Sequence, residues 1–466
     1  MLIRTIGQVK NKLCKKFARF LGGSLSVCSK AAVEMAAKDG ELRIFMVSGE
    51  VSGDVIASRL MASLKKLCPF PIRFAGVGGT LMTKEGLKSM FPMEDIAIMG
   101  IWELVPHLNK IRVKLKEATE AAFIFQPHIV VTVDSKGFSF RFLRQLRARY
   151  RHQGLVGPVH FHYVAPSFWA WKGGESRLRG LCEFVDHLLC ILPFEEEVCR
   201  SNGLNATFVG HPILEDALDL NLGKDCCLNE WKVQGDGEGF RNEHRISSGT
   251  TVITLLPGSR LQEVTRMLPI FSDTIKLLKG SFPELTTVIP VAPNCHVENY
   301  ISRAIQTWSV PTILIPGESQ QLRYDAFSAS RVALTTSGTA AIELQLARLP
   351  CVVTYRAHLL TEWFVRYKAR IQYISLPNIL LDSAVIPEVL FQACTPKNLV
   401  EFLIKVIHDE GLRKAQAITA EKVLRLLCPS QNYISKLCPP ELRPCSLDYS
   451  PSMIAASTIL SHTQQC

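Results

Sequence analysis

The chain has 466 residues, of which 47% are hydrophobic and 20% are charged, and its formal net charge is +11. At about 150 residues per domain, this length allows two or three domains, and the apolar content excludes disorder for most of the chain. The fifteen cysteines form no CxxC pair, which argues against zinc ligation and indicates a reducing compartment without a disulfide framework.

The first 33 residues contain seven basic residues and no acidic residue. Apolar side chains recur there at helical spacing, at Leu2, Ile3, Ile6, Val9, Leu13, Phe17 and Phe20. A basic, amphipathic segment of this kind is typical of an organelle transit peptide. We predict a transit peptide over residues 1–40 and a location in the mitochondrion, with a solvated basic arm as the alternative. Outside this segment the basic and acidic residues are nearly equal in number, which argues against a nucleic-acid-binding domain.

From Glu41 onward, strand and helix patterns alternate. The apolar run Leu42–Ser48 predicts a buried parallel strand, and a helix pattern follows from Gly53 to Leu67. Further strands are predicted at Arg73–Val77, His128–Asp134, Val159–Val164, His187–Leu192 and Thr207–Val209. This alternation predicts a Rossmann-like, doubly wound α/β domain over residues 41–220.

A polar, Gly-rich stretch at 221–249 is predicted to be a linker or inserted loop, after which the pattern restarts. Strands are predicted at Thr251–Leu256, Thr286–Val291, Thr312–Ile315, Arg331–Thr335 and Cys351–Tyr355. We predict a second Rossmann-like domain over 250–427 that faces the first across a cleft. The Pro-, Ser- and Thr-rich residues 428–466 are predicted to form a loose tail.

Three loops share a design in which a strand ends, a Gly-containing turn follows and a helix begins. They are Ser48–Asp54, Leu255–Arg260 and Thr335–Glu343. Each could be an ordinary capped turn, but N–H groups at helix N-termini also bind anions. The two loops in the second half together indicate a diphosphate site. Arg260 could donate to that diphosphate, and Glu343 could accept from sugar hydroxyls or simply offset the helix dipole.

Asp134 follows the apolar strand Ile129–Val133, at the edge of the sheet where a general base would be useful. A helix N-cap is the alternative role for this residue. His160, His162 and His211 have no metal-ligand spacing, and buried core histidines are the more common case.

The apolar segment Ile96–Val105 precedes four basic residues, Lys110, Arg112, Lys114 and Lys116. An apolar wedge beside a basic stripe favours peripheral docking on anionic lipid, and a core helix with a solvated end is the alternative.

The motifs, taken in order, resemble those of the lipid-A-disaccharide synthase family, inverting glycosyltransferases with a GT-B fold. The resemblance runs from about Leu42 to Leu412. The matching residues are Ser48–Asp54, Phe74–Gly79, Met99–Ile101, Asp134, His162–Ser167, Trp169–Trp171, Leu192–Glu195, Gly210–His211, Leu256–Arg260, Ser337–Ala341, Glu343, Tyr355–Arg356 and Ser375–Asn378.

This resemblance implies transfer of 2,3-diacylglucosamine from UDP to 2,3-diacylglucosamine 1-phosphate, without a metal ion or other cofactor. It implies Asp134 as the catalytic base and Glu50 as a second residue linked to activity. The implied substrate-binding residues are Gly258, Ser259, Arg260, Ser337, Gly338, Thr339, Glu343, Tyr355 and Asn378 in the second half, and Gly49, Ser52, Gly53 and Asp54 in the first.

The sequence departs from the family pattern where Asp-Ala-Pro-Asp-Phe is replaced by the sequence of Asp134–Phe138, so that Gly137 stands in place of the second acid. With the long 221–249 stretch and the N-terminal arm, this suggests an organellar member from a plant. Two alternatives stay open: a non-catalytic glycolipid-binding protein, or another UDP-sugar enzyme such as an epimerase or a different hexosaminyltransferase.

Overall fold

The computed structural model describes residues 38–96, 101–221, 232–317, 319–336, 338–437 and 450–461. The predicted transit peptide therefore lies outside the described residues except for its last three. The described chain divides into two compact units. The first contains the residues up to Trp169, Gly173–Pro212 and those from Pro429 on; the second contains Ala170–Lys172 and Ile213–Cys428. No helix in the described ranges is both long and apolar enough to cross a membrane.

The first unit is built on a seven-stranded sheet whose strand pairs are all parallel. Its strands are β1 (Leu42–Ser48), β2 (Ile72–Val77), β3 (Lys88–Ser89), β4 (Ile129–Val133), β5 (Val159–Tyr163), β6 (His187–Cys190) and β7 (Ala206–Phe208). They are ordered β3-β2-β1-β4-β5-β6-β7. The order reverses between β1 and β4, which is the switch point of a doubly wound sheet.

The second unit repeats this topology with six parallel strands. They are β8 (Thr251–Leu256), β9 (Leu285–Pro290), β10 (Thr312–Ile315), β11 (Val332–Thr335), β12 (Cys351–Tyr355) and β13 (Glu388–Leu390). Their order, β10-β9-β8-β11-β12-β13, places the switch point between β8 and β11.

Helices follow most strands. They are α1 (Val51–Leu67), α2 (Thr80–Lys84), α3 (Ile101–Phe125), α4 (Lys136–His152), α5 (Gly174–Arg179), α6 (Pro193–Ser201), α7 (Ile213–Asn221), α8 (Gly237–Glu243), α9 (Leu261–Leu278), α10 (Cys295–Ile305), α11 (Gln320–Ala329), α12 (Thr339–Leu346), α13 (Leu359–Lys368), α14 (Leu376–Leu381), α15 (Pro396–His408), α16 (Glu410–Leu427), α17 (Gln431–Leu437) and α18 (Pro451–Ser461).

Both faces of the first sheet are covered, which explains why its central strands are continuous apolar runs. Successive side chains of β1 enter different clusters because they point to opposite faces. Ile44 and Met46 pack in one core, and Phe45 and Val47 pack in the other. The strands of the second unit follow the same rule, and the α/β expectation of two doubly wound units is confirmed.

The prediction of a loose tail over 428–466 is wrong for Pro451–Ser461. This segment forms α18, whose Ile454, Ala455 and Ile459 are buried in the core that also contains the inner face of α1. Ser452 Oγ lies 2.8 Å from Ser63 Oγ of α1. Although this segment is rich in Ser and Thr, its apolar side chains are numerous enough to cover one face of a helix.

The boundaries around the predicted linker also differ, since the second unit already begins at Ile213. Within the described residues 232–249, α8 is capped by Asp236, which accepts from the Gly239 N–H at 2.8 Å. Phe240 is buried, and Arg241 donates to the carbonyls of Thr250 and Ala329. These contacts make this stretch part of the second unit's packed layers.

Candidate active site

The first unit brings two of the predicted loops together at its switch point. β1 and β4 are parallel neighbours with Ser48 opposite Val133, so the loops after them leave the sheet side by side. A Cβ atom at Gly49 would lie 2.5 Å from Ser135 Oγ and 2.9 Å from Ser135 Cβ, so a side chain there would force Ser135 to shift. Glycine therefore permits the β1–α1 loop to touch the residue that follows Asp134. Ligands of open α/β sheets bind at this edge.

Asp134 follows β4 in a strained backbone conformation. Asp134 and Ser135 have φ values of 49° and 45°. Left-handed residues other than glycine cost of order 1–3 kcal/mol each and cluster at functional sites. The Asp134 N–H donates to the Tyr163 carbonyl at 3.0 Å, and Ser139 Oγ donates to the Asp134 carbonyl at 2.9 Å. The N-cap residue of α4 is Ser135, so the capping role considered for Asp134 is not the one observed.

Glu50 occupies the N-cap position of α1 and is half-buried. Its carbonyl accepts from the Asp54 N–H at 2.9 Å and from Ser48 Oγ at 3.3 Å. Gly53 is close-packed, because a Cβ atom there would lie 2.5 Å from Ser48 Oγ, whereas Ser52 is exposed. The loop is thus a tight turn that carries Glu50 at the ligand edge of the sheet.

Asp54 makes structural contacts with a neighbouring loop. Its carboxylate is buried and accepts from the backbone N–H groups of Gly79 (2.9 Å), Leu81 (3.0 Å) and Met82 (3.1 Å). These are the otherwise unsatisfied donors at the start of α2. Asp54 therefore fixes the β2–α2 loop, and its predicted contact with substrate stays a prediction.

The three histidines are core residues. His162 Nδ1 lies 2.8 Å from Thr132 Oγ1, and burial lowers the pKa of His162 to about 3. His160 Nδ1 lies 2.8 Å from the Phe184 carbonyl, and burial lowers the pKa of His160 to about 4, as it does for His211. All three are neutral near pH 7. The described residues contain no group of three potential metal ligands.

Glu195 is a buried acid to which the sequence reasoning gave no role. Trp169 Nε1 and the Leu192 N–H each donate to its carboxylate at 3.1 Å. Burial nevertheless raises the pKa of Glu195 to about 7. Pro193 at the first position of α6, followed by the acidic Glu195 in the first turn, is a helix-start signal that the sequence contains.

The second unit also brings two predicted loops together at its switch point. Thr335 pairs with Leu256 across β11 and β8, and the Thr336 N–H donates to the Leu256 carbonyl at 3.0 Å. Gly258 and Gly338 both have φ of 121°, a backbone conformation that favours glycine. The helices α9 and α12 start directly after these turns, so two helix N-termini share one edge of the sheet. This arrangement suits a phosphate-bearing ligand.

Ser259 and Arg260 are exposed at the start of α9. Arg260 Nη1 lies 3.5 Å from Glu263 Oε1, and Glu263 packs on Gly258. An exposed ion pair of this length contributes little, so the guanidinium can exchange it for a ligand anion. Burial, followed by the nearby Glu263 carboxylate, raises the pKa of the half-buried Tyr355.

Glu343 is half-buried on α12 and faces a cation. Arg323 Nη1 lies 3.4 and 3.3 Å from its two oxygens, and Arg323 Nη2 donates to the Gly317 carbonyl. Burial raises the pKa of Glu343 while Arg323 opposes the rise. The pairing leaves carboxylate lone pairs available for further donors.

Asn378 makes structural hydrogen bonds, and its predicted role in substrate binding stays a prediction. It is fully buried, its Nδ2 donates to the Ile386 carbonyl (2.8 Å) and to Glu388 Oε1 (2.9 Å), and its Oδ1 accepts from the N–H groups of Val385 and Ile386. The whole amide is therefore used to hold the turn between α14 and β13.

Several predicted positions lie wholly or partly outside the described residues. Ser337 is one of them, and the side chain of Thr339 is another. The same holds for residues 97–100 and the side chains of 101–108 in the predicted membrane segment. Ile96 is described and is only 3% exposed.

The basic stripe after that segment is partly neutralised. Lys110 Nζ lies 2.7 Å from the Asp95 carboxylate, and Lys114 Nζ lies 2.9 Å from that of Glu117.

Two parallel-sheet units of this topology define the nucleotide-sugar fold called GT-B. The UDP-GlcNAc 2-epimerase of Neisseria meningitidis, solved with UDP-GlcNAc bound, matches with a TM-score of 0.55 at 13% identity over 83% of this chain and 97% of that one. The glycosyltransferase of kitacinnamycin matches with a TM-score of 0.51 at 13% identity, over 90% and 98%. At this identity the likeness shows the fold alone, and the predicted fold class is confirmed.

Sequence relatives identify the family. The family model described as lipid-A-disaccharide synthetase matches residues 44–438. The probable mitochondrial lipid-A-disaccharide synthase of Arabidopsis thaliana is 61% identical over 441 residues, 94% of each chain. The lipid-A-disaccharide synthase of Rhodospirillum centenum is 41% identical over 386 residues, 83% of this chain and 90% of that one. The chain belongs to the lipid-A-disaccharide synthetase family, as its motifs indicated.

Proposed function

We propose that the protein is a mitochondrial lipid-A-disaccharide synthase. It transfers 2,3-diacylglucosamine from UDP to the 6-hydroxyl of 2,3-diacylglucosamine 1-phosphate, with inversion, and releases UDP. The observation that carries this proposal is the 61% identity over 94% of the chain to a relative named for this activity and for the mitochondrion.

The second unit is proposed to hold the UDP moiety. The N-termini of α9 and α12 meet at one switch point, where their N–H groups and positive dipole ends would stabilise the diphosphate. Arg260 would add a charge-assisted hydrogen bond to that diphosphate. These groups favour departure of UDP because its negative charge grows as the glycosidic bond breaks.

The first unit is proposed to supply the base. Asp134 would remove the proton from the acceptor hydroxyl as the hydroxyl oxygen attacks C1 of the donor sugar. Glu50, carried by the adjacent loop, would orient the acceptor. Gly137 stands where the family has a second acid, so Asp134 is the one acidic residue in the sequence Asp134–Phe138.

We also propose that the protein binds a membrane surface peripherally, since both implied substrates carry two acyl chains. The predicted segment Ile96–Val105 remains one proposed contact for this binding.

The proposed activity is tested with the purified chain, donor labelled in its sugar, and the monophosphate acceptor. A labelled disaccharide and an equal amount of UDP are expected. Hydrolysis or epimerisation of the donor without disaccharide would favour another UDP-sugar enzyme, and binding without turnover would favour a glycolipid-binding protein.

A further inference from the structure

Helix α13 of the second unit presents three large aromatic side chains to solvent. Trp363 is 67% exposed, Phe364 49% and Tyr367 60%. The rings of Trp363 and Tyr367, one helical turn apart, stack with centroids 5.8 Å apart and planes 4° from parallel. Isolated exposed apolar residues need no explanation, but a contiguous aromatic patch marks an interaction surface.

Four basic residues lie on α13 or on the segments beside its end. Lys172, Arg366, Lys368 and Arg370 are all exposed. The ammonium groups of Lys368 and Lys172 lie 5.4 and 5.8 Å from the centre of the Tyr367 ring. Between residues 355 and 381 the sequence has a single acid, Glu362, and it is turned inward with 3% exposure.

The end of α13 is held in place by the short segment Ala170–Lys172. The Lys172 N–H donates to the Lys368 carbonyl at 2.9 Å, and the Arg370 N–H donates to the Ala170 carbonyl at 2.8 Å. Lys172 Nζ also donates to the Tyr367 carbonyl at 3.0 Å, and the Trp171 ring lies 5.9 Å from that of Phe364. The helix C-terminus is thereby fixed, so the aromatic rings are displayed on a rigid support.

We propose that this basic aromatic face, formed by Trp363, Phe364, Tyr367, Arg366, Lys368 and Lys172, docks on an anionic lipid surface. Trp and Tyr favour the boundary between headgroups and acyl chains, and clustered Lys and Arg are attracted to anionic headgroups. A protein partner is less well matched, because the cores of protein interfaces are depleted in lysine. This inference rests on the proposed function in one respect: an enzyme with acylated substrates needs a contact with the membrane.

The test combines vesicle co-sedimentation with oxidative footprinting of the full chain. Vesicles of phosphatidylcholine, with and without phosphatidylglycerol, are the probe. We expect Trp363, Phe364 and Tyr367 to be protected from hydroxyl radicals when anionic vesicles are present. The exposed Leu277 and Ile418 of the same unit should label equally with and without vesicles.

Two variants separate the contributions. W363S/F364S/Y367S, and separately R366Q/K368Q, should weaken vesicle binding by roughly tenfold or more. The matched control L277S/I418S/L426S removes three exposed apolar side chains elsewhere in the unit and should bind as the parent does. Because the N-terminal basic segment is common to all variants, it cannot produce a difference between them.

Unchanged labelling of the three aromatics on the vesicle-bound chain would overturn the inference. So would a loss of self-association in the aromatic variant with vesicle binding intact, because that result would make the face a contact between two copies. Transfer to a water-soluble, short-chain acceptor is measured in parallel. If the chain docks but does not transfer, the proposed function fails and the docking surface stands.

Discussion

The proposed mechanism depends on Asp134 as the general base. Asp134→Asn keeps the shape of the side chain and tolerates the left-handed backbone, but it cannot take a proton. Loss of a general base costs about 10²–10⁴ in rate, so we expect turnover to fall by that factor while UDP affinity is unchanged. Asp382→Asn is the matched control, because Asp382 also has positive φ (47°) and lies in the second unit, exposed. Near-normal turnover of Asp134→Asn would show that this residue is structural.

Arg260 tests the proposed diphosphate contact. Removing one charge-assisted hydrogen bond should weaken UDP binding by about 1.5–3 kcal/mol in Arg260→Ala. Titration calorimetry with UDP measures the loss, and Arg303→Ala on α10 serves as a control. Equal affinities of Arg260→Ala and the parent would exclude the contact.

The raised pKa of Glu195 predicts that the stability of the protein depends on pH. Its pKa is about 7 in the folded protein against an ordinary 4.5, so the folded state binds the proton more tightly. The free energy of unfolding therefore falls as pH rises from about 4.5 to 7, by roughly 3 kcal/mol from this group. Glu195→Gln should remove that fall, as measured by urea unfolding at pH 5, near the lower end of this window, and at pH 8, roughly one unit above it. Parallel pH profiles of parent and variant would contradict the assignment.

At the scale of elements, α18 is a structural component of the first unit. Ile459 is fully buried against the α1 layer. Ile459→Ala should cost about 2–4 kcal/mol of unfolding free energy, because it removes buried methyl groups and leaves a cavity. Ser461→Ala, at an exposed position of the same helix, should cost little. A melting temperature unchanged by Ile459→Ala would mean that the helix does not pack as described.

The strands and the site residues differ in how far the sequence could predict them. β1 and β4 were predictable because strands buried on both faces are continuous apolar runs, and their ends then located Gly49, Glu50 and Asp134. The structural hydrogen bonds of Asp54 and Asn378 could not be predicted, because their partners belong to other turns and strands, which no local pattern specifies. α18 was missed because its apolar residues are interspersed with Ser and Thr.

At the scale of the whole molecule, the basic N-terminal segment and the similarity to a mitochondrial relative together predict import into mitochondria. Residues 1–40 fused to a fluorescent protein should bring it into mitochondria, because import receptors recognise basic amphipathic helices. Fluorescence microscopy measures this, with Lys and Arg residues of the segment changed to Gln as the control. Diffuse cytosolic fluorescence from the parent fusion would contradict the prediction.

The central claim is that two doubly wound units, one with Asp134 and one with paired helix N-termini, form an inverting glycosyltransferase for acylated glucosamine. The most direct measurement is product analysis after incubating the purified chain with UDP-2,3-diacylglucosamine and 2,3-diacylglucosamine 1-phosphate. The account predicts a β-1,6-linked disaccharide 1-phosphate, formed in equal amount with UDP and strongly reduced in Asp134→Asn. An α-linked product, or none from a folded chain that binds UDP, would contradict it.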